Sequence, residues 1–330
     1  MSELVATTPG LYPLPDWAKE ELADLKGHQK DDLIDGDEDE AVVAAYDRAR
    51  GEVVDHQHEA GLDRTVEGQL RWDDLLAHPL TVHDAVETGG IVRYYDNNNF
   101  YRDPRVVDDL TFSGDVAADL DATADLTDDL QAVLPGPYSL ADLATDEHYG
   151  DEADFLAAVA DFLAGEVGAF PDHETLFLLE PSLVENPPGD GLDARASAAV
   201  DDVAAATDAD VVVHTYWGAM DDKVYAHLMD ADVAAIGVDL VAGDRDETVS
   251  NLAEYGTKDA VALGLVDGQN TRVEAPATVR ERVDWLRGQV PGTFDTVYAT
   301  SNTELFYLPV NRYREKLAAL GAATAPEVEA

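Results

Sequence analysis

Wherever a short apolar run ends in this chain, polar and aromatic side chains follow. Gly61 to Gly68 leads into Gln69, Arg71 and Asp73; Leu130 to Leu134 into Tyr138 and Ser139; Thr175 to Leu179 into Glu180. Later runs deliver His214 and Tyr216, then Asp239, then Asp267, Gln269 and Asn270, then Ser301 and Asn302. Amides, carboxylates and hydroxyls gathered on one rim suit the holding of a polar organic ligand. None of them forms a Ser–His or Cys–His pair with a local nucleophile signature, so the set singles out no catalytic residue.

Three of these positions admit two readings each. His214 and Asp239 fall on successive strands, where an imidazole and a carboxylate could share a metal. A good zinc site needs three or four ligands, however, and a His at a strand end more often hydrogen-bonds a neighbour. The expectation is therefore no metal in this chain. Glu180, followed by Pro181, either holds an amine or only caps the turn that follows it. Arg93, beside Tyr94 and Tyr95, either grips an anionic ligand or pairs with one of the many surrounding acids.

The elements that must position these residues alternate. Apolar runs at Leu4 to Thr8, Gly61 to Gly68, Leu130 to Leu134, Thr175 to Leu179, Ala209 to Val213, Val233 to Val238, Ala260 to Val266 and Thr296 to Ala299 read as strands. Between them lie an acidic helical region reaching Ala60 and helical stretches at Asp151 to Glu166, Asp193 to Thr207, Pro276 to Gln289 and Asn311 to Leu320. Strands that are apolar throughout belong to a parallel sheet covered on both faces. Eight such units predict a single TIM-type (β/α)8 barrel filling residues 1–330, with an insertion after the second strand at about 78–127. Neither a Gly-rich dinucleotide fingerprint nor a phosphate loop is present, which weakens an open doubly wound sheet.

Composition narrows the function classes. The 330 residues carry 69 Asp and Glu against 21 Lys and Arg, a formal net charge of −48, while hydrophobic content stays at an ordinary 45%. The acid is spread along the chain, as in Asp31-Asp32, Asp108-Asp109 and Asp201-Asp202, rather than gathered in a tail. Such a solvated shell fits a halophilic, salt-filled cytoplasm and costs self-repulsion when salt is low. It disfavours nucleic-acid binding, which needs clustered Lys and Arg. With no Cys, disulfides, thiolate zinc sites and thiol nucleophiles are excluded. No secretion signal or long apolar segment stands out, so the expected location is cytoplasmic, away from membranes.

Six motifs in order carry a family resemblance. Gly68-Gln69-Leu70-Arg71-Trp72-Asp73-Asp74 resembles Gly-Asp-Phe-x-Trp-Tyr-Asp, and Arg93-Tyr94-Tyr95-Asp96-Asn97-Asn98 resembles Lys-Trp-Phe-Asp-Thr-Asn. Leu134-Pro135-Gly136-Pro137-Tyr138-Ser139-Leu140 resembles the Gly-Pro-hydrophobic-Thr of strand three, and Leu179-Glu180-Pro181-Ser182-Leu183 resembles Asp-Glu-Pro-Ala-Leu. Thr215-Tyr216-Trp217-Gly218 is similar to Thr-Tyr-Phe-Gly, and Gly264-Leu265-Val266-Asp267-Gly268-Gln269-Asn270 to Gly-Val-Val-Asp-Gly-Arg-Asn. All belong to the cobalamin-independent methionine synthases, and the sequence looks like their N-terminal barrel.

The resemblance implies a methyltransferase of methionine biosynthesis, with methyltetrahydrofolate or a related pterin as methyl donor and homocysteine as acceptor. The family's catalytic barrel holds zinc through His, two Cys and a Glu. Here His214 is followed by Tyr216, the late Cys position falls near Asn302, and Gln69 stands where a Glu holds the homocysteine amine. The resemblance therefore implies a free-standing non-zinc component working with a separate zinc-bearing barrel. Arg93 keeps the positive charge of a Lys that contacts the polyglutamyl carrier tail. Gln69, Arg93, Glu180, His214, Tyr216, Asp239, Asp267, Asn270 and Asn302 are the expected substrate- or carrier-facing residues. A stand-alone metal-free barrel enzyme acting on a small anionic substrate and a non-catalytic regulatory partner are the alternatives.

Overall fold

The computed structural model describes residues 2–23, 39–95, 100–189 and 191–326. In chain order its strands are β1 Glu3–Ala6, β2 Thr65–Val66, β3 Val86–Arg93, β4 Phe100–Val106, β5 Leu130–Pro135, β6 Thr145–Asp146, β7 Thr175–Leu179, β8 Asp210–His214, β9 Ala235–Asp239, β10 Ala260–Val266 and β11 Thr296–Ser301. Eight of them build one sheet in the order β1-β11-β10-β9-β8-β7-β5-β2, every pairing parallel. The order follows the chain, except that the first strand pairs with the last. The two end strands also approach each other: Asp63 N and Arg64 N donate to Ala6 O at 2.9 and 3.2 Å. The sheet is thus curled, a half-barrel with its strand C-termini on one rim.

Burial explains the unbroken apolar strands. All residues of β5, β7, β9 and β10 are buried, because helices cover the outer face while the curl encloses the inner one. β7 and β10 coincide with their sequence-predicted limits. β2 is the exception, shortened from the expected Gly61 to Gly68 to two residues. Gly61 is consumed as the left-handed cap of helix Glu40–Ala60, with φ 75°, and residues 63 and 64 turn onto Ala6.

Helices Glu152–Val167, Asp193–Ala204, Pro276–Gln289 and Val310–Thr324 lie close to where periodicity put them. The acid has a local structural use here. Asp39, Asp151 and Asp244 each cap a helix by accepting backbone N–H bonds. Among the described residues no helix is long and apolar enough to cross a membrane.

The region between β2 and β5 is more ordered than the sequence suggested. β3 and β4 form an antiparallel hairpin that takes β6 as its third strand. Helix Asp115–Ala124 then packs against β5 and the Glu152–Val167 helix. Reading all of residues 78–127 as outside the strand–helix alternation was therefore too broad. The segment that leaves it ends before residue 115, since Val116, Ala117, Leu120 and Thr123 bury one face of an ordinary covering helix.

Candidate functional site

At the tips of β8, β9 and β11, three of the expected residues meet, and they bind one another. Asp239, fully buried, accepts four hydrogen bonds: Val241 N (2.7 Å) and Ala242 N (2.9 Å) on Oδ1, Trp217 N (3.0 Å) and Asn302 Nδ2 (3.0 Å) on Oδ2. Asn302 Oδ1 accepts from Gly268 N at 3.0 Å. His214 Nε2 donates to Asn302 O at 3.0 Å, which leaves the lone pair on Nδ1. Burial pushes the His214 pKa down, so the ring is neutral. Gly237 is required beside it, because a Cβ there would fall 2.4 Å from His214 Nδ1.

This donor set does not fit a zinc ion. The imidazole Nε2 and the whole Asp239 carboxylate are committed to protein partners, and no thiolate exists to complete the shell. Among the described residues, Asp108, Asp109 and His148 are the one group of three His, Asp or Glu close enough to share a metal, and all three are exposed.

Glu180 caps a helix start, though not the turn that follows it in sequence. Its Oε1 accepts from Tyr138 N (2.9 Å) and its Oε2 from Ser139 N (2.7 Å) and Ser139 Oγ (2.7 Å), closing the start of helix Pro137–Leu143. Complete burial still raises its pKa from 4.5 to about 7, burial outweighing the three donors. Gln69 is also inward-bound, its Oε1 accepting from Leu11 N at 2.6 Å.

The remaining expected residues lie apart. Asp267 and Asn270 fold into turns, accepting from Gln269 N and Arg272 N, and line a separate cavity of about 330 Å³ with Glu274 and Arg282. Arg71 turns outward to Asp119, at 3.8 Å, and over the Tyr46 ring. Arg93 is exposed on β3, its guanidinium 5.7 Å from the centre of the Phe100 ring.

The centre of the rim is filled. Tyr94 bonds Asp74 and stacks on Tyr101 at 4.4 Å; Tyr95 bonds Ser182 and meets Trp217 edge-on at 5.4 Å. Tyr216 packs on Trp217 at 4.7 Å. The space left between Leu11, Asp74, Tyr94, Tyr216, Trp217 and Glu304 is about 10 Å³. Burial, with Asp74 nearby, raises Glu304 to about 7. Among the described residues, the non-glycine positions with positive φ are Leu11, Gln69, Tyr95 and Trp217. All four lie in rim loops, and strain so clustered marks a specialised region.

Sequence reasoning named Tyr94, Tyr95, Trp217 and Asp74 only inside motifs and passed over Glu304. The dense aromatic run from Tyr94 to Tyr101 was the available signal. What it lacked was the partner for each ring, since Ser182 and Trp217 are distant in sequence.

Comparison with known proteins follows the same lines. The sequence matches the family described as the N-terminal domain of cobalamin-independent synthase over residues 81–290. It is 24% identical to the methionine synthase of Saccharolobus solfataricus over 289 residues, 84% of this chain and 81% of that one. It is 27% identical to the methionine synthase of Sulfurisphaera tokodaii over 168 residues, 50% of this chain and 47% of that protein. In fold it is similar to a B12-independent methionine synthase from Shewanella sp. W3-18-1 solved with selenomethionine, at TM-score 0.78 and 18% identity, covering 97% and 96% of the two chains. A methyltransferase from Methanosarcina mazei is more distant, at TM-score 0.56 and 8% identity. Since the family match takes in well over half of the sequence, this chain belongs to the cobalamin-independent methionine synthases, a methyltransferase family, through their N-terminal domain.

Proposed function

We propose that this protein is the zinc-free component of a two-barrel methionine synthase. It acts beside a separate zinc-bearing barrel in methyl transfer from a methyltetrahydropterin or folate-type carrier to homocysteine. Its sheet closes as a (β/α)8 barrel, which the bonds from residues 63 and 64 to Ala6 support, and the β3–β4 hairpin is an excursion after the second strand. A salt-rich cytoplasm suits its acidic surface.

One observation carries this reading. The groups standing where a metal and an amine would be held are engaged by the protein itself, His214 and Asp239 by Asn302 and Gln69 by Leu11 N, and the rim space beside Tyr94, Tyr216 and Trp217 is only about 10 Å³. That favours a wall over an independent catalyst, and speaks against the stand-alone enzyme.

The carrier-facing surface is then the hairpin's outer face. Ile91 pairs with Arg102 and Arg93 with Phe100 across the strands, so all four side chains share one face. Ile91 is 71% exposed and Phe100 48%. Two cations and two apolar groups together suit an anionic carrier tail on an otherwise acidic protein.

Reconstitution tests the proposal. The purified chain alone should show no homocysteine methylation, and adding the zinc-bearing barrel should give activity that depends on both. Full activity of the zinc barrel without this chain, at the same carrier concentration, would refute it.

A further inference from the structure

A second cavity, of about 330 Å³, lies between helices Glu40–Ala60 and Asp115–Ala124 and the stretch 71–82. None of its lining residues belongs to a strand, so it is separate from the rim. Its volume is within the range of about 300–1,000 Å³ usual for small-molecule sites.

The lining combines three chemistries. Val43, Val82 and Val116 make an aliphatic floor, and Trp72 stacks on His78 at 4.9 Å beside it. The polar wall holds both signs: Arg50 and Arg71 against Asp47, Asp115 and Asp119. Arg50 is only 3% exposed, yet its Nε has no hydrogen-bond acceptor. Nη1 donates to Asp47 Oδ1 at 2.7 Å, but the carboxylates beside the other two nitrogens stand at 3.6 Å from Nε (Glu67 Oε1) and 3.9 Å from Nη2 (Asp119 Oδ1), beyond hydrogen-bond reach. A buried guanidinium N–H left open in this way is a costly vacancy that a carboxylate oxygen would fill.

Charge then selects the occupant. A simple anion would gain the arginines but meet three aspartates. A simple cation would meet the two arginines. A strongly hydrated ion of either sign would lose its water against valines. A zwitterion with an apolar side chain satisfies all three walls.

We propose that this cavity binds a small apolar α-amino acid. Its carboxylate takes Arg50, its ammonium group the Asp115–Asp119 side, and its side chain the valine floor. The inference goes beyond the proposed function and holds whether or not the chain takes part in methyl transfer.

Calorimetric titration of the intact chain in molar KCl tests it, with L-norleucine and L-methionine as probes. Saturable binding with Kd in the region of 1 mM or tighter is expected. Hexanoate and pentylamine, each carrying one of the two charges, should bind at least about tenfold more weakly. Ala122→Phe, at an exposed position on the cavity wall, should abolish binding without altering the thermal melt. Arg50→Met should weaken it at least about tenfold; if that variant fails to fold, Ala122→Phe still decides. No saturation up to about 10 mM amino acid, unchanged affinity in Ala122→Phe, or hexanoate binding as tightly as norleucine would overturn the proposal.

Discussion

Replacing Glu180 by Gln sets two opposing effects against each other, and pH separates them. Both carboxylate oxygens accept N–H groups at the start of helix Pro137–Leu143. An amide must turn its NH₂ toward either Tyr138 N or Ser139 N, leaving donor facing donor at a cost of about 1–3 kcal/mol. The carboxyl carries its own penalty, because burial raises its pKa from 4.5 to about 7. A folded pKa above the unfolded value means a stability contribution present in full below 4.5 and lost as pH rises through 7. At about 1.4 kcal/mol per unit, that loss comes to about 3 kcal/mol. Glu180→Gln should therefore be less stable than wild type by about 1–3 kcal/mol near pH 5, and the gap should narrow by about 2–3 kcal/mol toward pH 8. Urea unfolding in molar KCl across this range measures it, and the surface acids cancel because both proteins share them. A gap that stayed constant or widened with pH would refute the reasoning, since it would mean that the helix start holds Glu180 ionised throughout.

Other outcomes follow from single contacts. Gly237→Ala should destabilise by about 1–3 kcal/mol in urea, because its Cβ would press on His214 Nδ1 from 2.4 Å; an effect below about 0.5 kcal/mol would contradict the packing. Arg93→Ala in the two-barrel assembly should weaken carrier affinity by roughly ten- to a hundred-fold, the loss of one charge-assisted contact, while leaving the melting temperature unchanged. Equal affinities would remove Arg93 from the carrier surface. Lowering KCl to low millimolar should depress the melting temperature, since a net charge of −48 repels itself once the Debye length reaches tens of ångströms. A melt independent of KCl would count against the halophilic reading.

The sheet was legible because both faces of its strands are buried, which leaves continuous apolar runs such as Ala260–Val266. The helices were legible through periodicity and through caps such as Asp151. The rim was legible only as a list of residues. Strand ends announce which side chains arrive, but not whether they face a ligand or each other, since that depends on partners distant in sequence. Asp239 and Asn302 are 63 positions apart, and Tyr95 and Ser182 are 87 apart. Arg71 misled for a related reason. Its place after the second strand suggests the rim, but Asp119 and Tyr46 on covering helices draw it outward.

The four strained residues connect the rim to its proposed role. Leu11, Gln69, Tyr95 and Trp217 sit in different loops, at a cost of about 1–3 kcal/mol each, and each is fixed by a specific bond. Gln69 holds Leu11 N, Asp239 holds Trp217 N, and Ser182 holds the Tyr95 hydroxyl. In a catalytic site such strain would keep reacting groups in place around an open space. Here it keeps Tyr95 and Trp217 in edge-on contact at 5.4 Å, with a space of only about 10 Å³ beside Trp217, toward Tyr94 and Tyr216. A carrier entering the rim would have to break those bonds and relax the backbone that they hold. One approaching the outer face of the hairpin would meet Arg93, Phe100 and Ile91 already exposed, without breaking the bonds that hold the rim. The lower cost of the second route is the physical reason to look for carrier contacts on the hairpin rather than among the residues at the strand ends.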